Sequence, residues 1–139
     1  YITIMLDESK PKIFGLDNVD RSADIYLVEG PIDSLFIPNA IASAGSDLVS
    51  QLQLTDLPKE NIITVYDNEP RNAEIVKKIE RTIDAGYRVC IWPTRIEHKD
   101  INDMVLAGYT PEQVKEIIDE CTYSGPTAKL HFAIWRKDR

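Results

Sequence analysis

The run Ile25–Val28 contains only apolar residues and stops at the carboxylate of Glu29. A short run in which every side chain is apolar is typical of a β-strand that is covered on both faces. Pro31 follows closely, at a position where a helix can begin without losing a needed hydrogen bond. The sequence therefore predicts a buried strand that turns into a helix directly after an acidic residue.

Strand-like and helical segments alternate along the rest of the chain. Further strands are predicted at 40–45, 62–66 and 87–92, and further helices at 46–53, 70–85, 100–107 and 111–120. The alternation predicts an α/β fold, in which a mostly parallel central sheet of about four strands has helices on both faces.

The length of 139 residues fits one domain, so we expect a single domain over 1–139. Two segments are expected to be short strand extensions: the β-prone residues 1–6, and residues 128–135, which are apolar and suit an edge strand or a segment packed on the sheet. Trp92 and Trp135 are expected to pack at strand ends.

Acidic pairs follow the first, third and fourth of the core strands predicted between 25 and 92. Ligand sites in parallel α/β sheets lie beyond the carboxyl ends of the strands, so we expect the acids to face one common opening. Crowded carboxylates repel each other and raise their pKa values, whereas a hard cation such as Mg²⁺ prefers such oxygen ligands. The acidic residues are Glu29, Asp33, Asp67, Glu69, Asp100 and Asp103.

The acidic pattern leaves the chemistry open among phosphoryl transfer, phosphate hydrolysis and simple binding of metal or phosphate. An acidic chain also places some carboxylates at strand ends by chance. The net charge of −7 argues against a domain that binds nucleic acid by charge alone, since such binding depends on Lys and Arg. No apolar run approaches the ~18 residues of a membrane helix.

A zinc site is not expected. Cys90 and Cys121 have no CxxC spacing, and neither His98 nor His131 has a Cys or His partner at ligand spacing. Both cysteines are expected to be reduced and structural, which suits the cytoplasm.

The stretches YLVEGPIDSL, VYDNEP and KDINDM resemble, in this order, the Toprim domain. This metal-binding fold is shared by bacterial-type primases, topoisomerases and some nucleases. The blocks VEGPIDSLFI and DNEPR are more specific and, with KD-x-NDM and TPEQ, are similar to the primases of T-even-type bacteriophages. The resemblance covers nearly the whole chain and implies a Toprim (Rossmann-like) fold. It also implies a primase part without the N-terminal zinc-binding module and the remaining polymerase region.

The resemblance implies a role for five of the acids. Glu29 matches the family's glutamate, a metal ligand or the general base that activates the primer 3′-hydroxyl. Asp67 and Glu69 match the acidic pair that holds Mg²⁺, for which Mn²⁺ substitutes, and Asp33 and Asp100 match further acids around the site. The implied catalytic residues are thus Glu29, Asp67 and Glu69, and the implied metal ligands are Glu29, Asp33, Asp67, Glu69 and Asp100.

Two basic residues lie beside these acids in the sequence. Lys99 is a candidate for contact with a nucleotide phosphate, or is a solvent-exposed lysine. Arg71 is a candidate for the same contact, or balances the charge of Glu69 or Glu74.

The implied activity is nucleotidyl transfer: the synthesis of RNA primers on single-stranded DNA during phage replication. The implied partners are the DNA template, ribonucleoside triphosphates and the replicative hexameric helicase, in the cytoplasm of the bacterial host. Because the zinc module helps to read the template, the resemblance leaves open whether this chain makes primers by itself. A Toprim-type nuclease, a topoisomerase fragment and a non-catalytic helicase-docking module remain alternatives.

Overall fold

The computed structural model of the protein describes residues 13–43 and 48–137. Within these ranges the chain forms one five-stranded sheet and six α-helices. The strands are β1 (Ile25–Val28), β2 (Ala40–Ala42), β3 (Ile62–Val65), β4 (Arg88–Cys90) and β5 (Thr122–Tyr123). The helices are α1 (Pro31–Ser34), α2 (Leu48–Gln53), α3 (Ala73–Asp84), α4 (Ile101–Leu106), α5 (Pro111–Glu120) and α6 (Gly125–Lys137).

The strand order is β2-β1-β3-β4-β5. The first four strands are parallel to their neighbours, and β5 pairs antiparallel with β4 at the edge. This confirms the predicted α/β fold with a mostly parallel sheet, and adds an edge strand of two residues that the sequence did not predict. Val28 pairs with Val65, so β1 and β3 end side by side.

The sheet is covered on both faces, as the apolar run at 25–28 predicted. Ile25 and Leu27 pack in one core with residues of α2, α3 and α6, whereas Tyr26 and Val28 pack in a second core with residues of α4 and α5. Successive side chains of a strand point to opposite faces, so an all-apolar strand is needed to supply both cores.

The long helices begin at capping side chains. Thr110 and Gln113 form a capping box at the start of α5, in which each side chain accepts a hydrogen bond from the other residue's backbone N–H. Helix α3 begins at Ala73 rather than at the predicted residue 70, because the side chain of Asn72 caps it. Gly86 follows this helix with a φ of 86°, a conformation that favours glycine.

The expectation of a strand at 128–135 is wrong, because these residues belong to helix α6. Ala128, Phe132 and Trp135 are buried at helical spacing and pack against the first core. Trp135 therefore lies on a helix and not at a strand end. The strand expected at 1–6 lies outside the described residues. None of the helices within the described ranges is long and apolar enough to cross a membrane.

Candidate metal centre

Three neighbouring parallel strands bring the predicted acids to one edge of the sheet. Helix α1, which follows β1, carries Asp33; Asp67 follows β3; and Asp100 precedes α4, after β4. Each of the three aspartates offers a carboxylate oxygen, and these oxygens all lie within 4.8 Å of one another. Residues far apart in the sequence thus form one cluster, which we call the aspartate triad.

Backbone N–H groups of α4 hold two members of the triad. The Oδ1 atom of Asp33 accepts a hydrogen bond of 2.9 Å from the N–H of Asn102. Asp100 is the N-cap of α4, and its Oδ1 accepts a hydrogen bond of 2.8 Å from the N–H of Asp103. Both carboxylates thus lie at the N-terminal end of a helix, where the backbone N–H groups favour negative charge.

The environments of Asp33 and Asp67 oppose the ionisation of these two carboxylates. Burial raises the pKa of Asp33 to about 6; the hydrogen bond from Asn102 opposes this rise, and the charges of Asp100 and Glu29 add to it. Burial also raises the pKa of Asp67 to about 7, and the charges of Glu29, Asp100 and Asp33 contribute. A bound divalent cation would relieve this repulsion.

Glu29 lies beside the triad but is not a member of it. Its Oε1 atom accepts a hydrogen bond of 2.8 Å from the N–H of Asp67, and its Oε2 atom lies 3.7 Å from Nζ of Lys78. The structure therefore joins Glu29 to Asp67 through the backbone. Sequence reasoning missed Lys78, because a lysine beside the apolar face of α3 carries no local signal that distinguishes it from other surface lysines.

Glu69 and Arg71 border an open cleft of about 700 Å³ that begins at Asn68, the residue directly after Asp67. Glu69 is not a member of the triad. The lining residues are Asn68, Glu69, Pro70, Arg71, Asn72, Thr94 and Glu97. The side chain of Lys99 is exposed.

Asn68 is a second residue that sequence reasoning missed. It lies between the two acids of the turn after β3, and it is buried, with its backbone N–H bonded to the carbonyl oxygen of Lys99. The available signal in the sequence was an amide side chain between two carboxylates. Its role appears only in the structure, because a buried amide needs hydrogen-bond partners.

The donor set of the triad fits a hard divalent cation. All three ligand groups are carboxylates, and Mg²⁺ and related cations bind oxygen, whereas zinc sites favour His and Cys. Burial and the neighbouring carboxylate charges raise the pKa values of Asp33 and Asp67, and a bound cation would oppose this rise.

No family model matches the chain. Among curated proteins, the DNA primase of Enterobacteria phage T4 is 40% identical to it over 140 residues. The chain resembles part of a phage primase. The match covers 99% of this chain and 40% of the relative, so the chain spans about two-fifths of the length of the phage primase. This likeness confirms the resemblance to primases of T-even-type phages, and the sheet order and helices are consistent with a Toprim-like fold.

Proposed function

We propose that this chain is the metal-binding catalytic domain of a phage-type DNA primase and catalyses Mg²⁺-dependent nucleotidyl transfer. The observation that carries the proposal is the aspartate triad, in which three carboxylates from three parts of the chain lie within 4.8 Å. The identity of 40% to a phage DNA primase supports the choice of nucleotidyl transfer among the possible metal-dependent reactions.

In this proposal Asp33, Asp67 and Asp100 hold the cation, with Mn²⁺ as a substitute for Mg²⁺. A bound ion would supply Lewis acidity at the primer 3′-hydroxyl and would neutralise charge on the triphosphate, whose pyrophosphate leaves as the 3′-oxygen forms its bond to the α-phosphorus. Glu29 accepts the proton of the hydroxyl, or adds a ligand to the ion. The hydrogen bond from Asp67 N–H to Glu29 supports either role, since it holds this carboxylate beside the triad.

The cleft beside the triad is the proposed nucleotide site. Arg71 contacts the cleft and would bind phosphate oxygens, and Glu69 would extend the ligand set from the same wall. Lys99 immediately precedes Asp100, and its exposed side chain would bind a second phosphate group.

The wider function follows the phage primase. We propose that residues 1–139 form one Toprim catalytic domain of a longer primase, acting on a single-stranded DNA template with ribonucleoside triphosphates. The replicative helicase is the proposed protein partner, and the cytoplasm of a bacterial host the proposed location.

Calorimetric titration with Mg²⁺ tests the metal site directly. We expect Asp67→Asn to weaken Mg²⁺ binding about tenfold or more, because the ligand loses its charge. Asp17→Asn removes the same charge from an exposed 3-10 turn and serves as the matched control. Equal affinity in the unaltered chain and in Asp67→Asn would contradict the proposal.

Activity assays separate primer synthesis from the alternatives. The proposed longer primase that contains this chain should form primers from ribonucleotides on single-stranded DNA, and Glu29→Gln should slow this activity about 100-fold. Cleavage of labelled DNA with Mn²⁺ in the absence of ribonucleotides would instead indicate a nuclease. Primer synthesis at an unchanged rate in Glu29→Gln, with the helicase still bound, would instead indicate a docking module.

A further inference from the structure

Asn68 connects the two loops that carry Asp67 and Asp100. Its side-chain nitrogen donates hydrogen bonds to the carbonyl oxygens of Ile96, at 2.9 Å, and of His98, at 3.1 Å. Its backbone N–H donates to the carbonyl oxygen of Lys99 at 2.6 Å. The last bond joins the residue directly after Asp67 to the residue directly before Asp100. These bonds join the loop that carries Asp67 to the loop that carries Asp100.

Helix α6 determines the orientation of this amide. The indole Nε1 of Trp135 donates a hydrogen bond of 2.9 Å to Oδ1 of Asn68, and Trp135 is only 3% exposed. An indole N–H can only donate, so the amide oxygen must face it and the amide nitrogen must face the two carbonyl oxygens. Reversal of the amide would break these three hydrogen bonds. It would also place the amide N–H₂ against the indole N–H, and the amide oxygen against the two carbonyl oxygens, away from water.

We propose that Trp135 and Asn68 are positioning residues of the metal centre, through which α6 fixes the separation of Asp67 and Asp100. This inference rests on the proposed function of the aspartate triad. Neither residue offers a ligand to the ion. Groups that orient metal ligands through hydrogen bonds affect metal affinity strongly, and their loss weakens binding about 10- to 100-fold.

The variant Trp135→Phe tests the proposal, because it keeps a buried aromatic ring and removes the N–H donor. It also makes the side chain smaller, and the packing control on the same helix accounts for that loss. We expect about tenfold weaker Mg²⁺ binding by calorimetry. In the metal-free protein, hydrogen exchange of the backbone N–H at position 68, which bonds to the carbonyl oxygen of Lys99, should become faster by NMR. Asn68→Ala is a second variant that removes the side-chain bonds from the other end, with the same two expected effects.

The control is Phe132→Leu on the same helix. Phe132 is buried in the same core, its ring stacks on that of Trp135 with the centroids 6.1 Å apart, and it has no hydrogen-bonding group. This variant therefore perturbs the packing around the indole and leaves the indole N–H donor in place. It should keep the Mg²⁺ affinity and the Asn68 exchange rate of the unaltered chain.

Two results would overturn the inference: unchanged Mg²⁺ affinity and exchange in Trp135→Phe, or equal losses in Phe132→Leu. A chain that binds no Mg²⁺ even unaltered would refute the proposed function instead. In that case the exchange rate at Asn68 in the metal-free protein still tests the role of Trp135. Faster exchange in Trp135→Phe than in the unaltered chain would show that Trp135 holds the turn after β3.

Discussion

Replacement of Asp67 by asparagine should stabilise the metal-free protein at pH 8, although it removes a proposed metal ligand. Burial and the charges of Glu29, Asp100 and Asp33 raise the pKa of Asp67 from 3.8 to about 7. At pH 8 the carboxylate of Asp67 is ionised in both states. Burial and the neighbouring charges make its ionisation cost free energy in the folded protein, whereas in the unfolded chain it costs none. Asparagine carries no charge and avoids the cost.

The size of the effect follows from the pKa. A rise from 3.8 to about 7 corresponds to about 4 kcal/mol of unfolding free energy. Asp67 is partly exposed, and screening by solvent reduces this free-energy cost roughly by half, to about 2 kcal/mol. Such a change corresponds to a rise of about 6 °C in Tm for a chain of this size. Because the folded pKa lies above the unfolded one, the penalty is absent below pH 4 and grows until about pH 7.

Urea denaturation in EDTA measures this gain, at pH 5 and at pH 8. The gain should be larger at pH 8, and Asp17→Asn, which lies on an exposed turn, should show little gain at either pH. Addition of Mg²⁺ at pH 8 should stabilise the unaltered chain more than Asp67→Asn. A gain no larger than that of Asp17→Asn would refute the account of repulsion within the triad.

Three further predictions concern the site and the fold. Mg²⁺ affinity measured by calorimetry should fall about 100-fold between pH 8 and pH 5.5. The reason is that protons then occupy Asp67 and Asp33, whose pKa values are about 7 and about 6. An affinity independent of pH would contradict the triad as the ligand set. Glu29→Gln should lower the primer-synthesis rate of the proposed longer primase about 100-fold while most of the Mg²⁺ affinity remains, since Glu29 lies outside the triad. Equal losses of primer synthesis and of Mg²⁺ affinity would indicate that Glu29 is a metal ligand. Thr110→Ala should cost about 1 kcal/mol in urea denaturation through loss of the capping box, and an unchanged midpoint would show that the cap contributes nothing.

Local signals in the sequence were sufficient for most of the elements. The apolar run at 25–28 predicted a strand buried on both faces, and the helix predicted over 111–120 has the bounds of α5. Strong turns and caps depend on side chains within a few positions of one another, so one sequence is enough to find them.

The C-terminal helix shows where local signals fail. Residues 128–135 are so apolar that the helical period is hidden, because Leu130 and Ile134 are exposed apolar residues on the outer side of α6. Only contact with the core distinguishes them from Ala128, Phe132 and Trp135. The error mattered for function, since it hid the indole that bonds to Asn68.

The sequence by itself determined the residue types at the strand ends, and hence that carboxylates would gather at one edge of the sheet. Only the tertiary structure decided which of them meet: Asp33, Asp67 and Asp100 form the triad, while Glu29 and Glu69 lie outside it. The bonds that hold the site join residues 69 positions apart, as in Asn102 to Asp33, or 67 apart, as in Trp135 to Asn68. Such distances depend on strand order and on helix packing across the sheet, and no pattern of neighbouring residues encodes them.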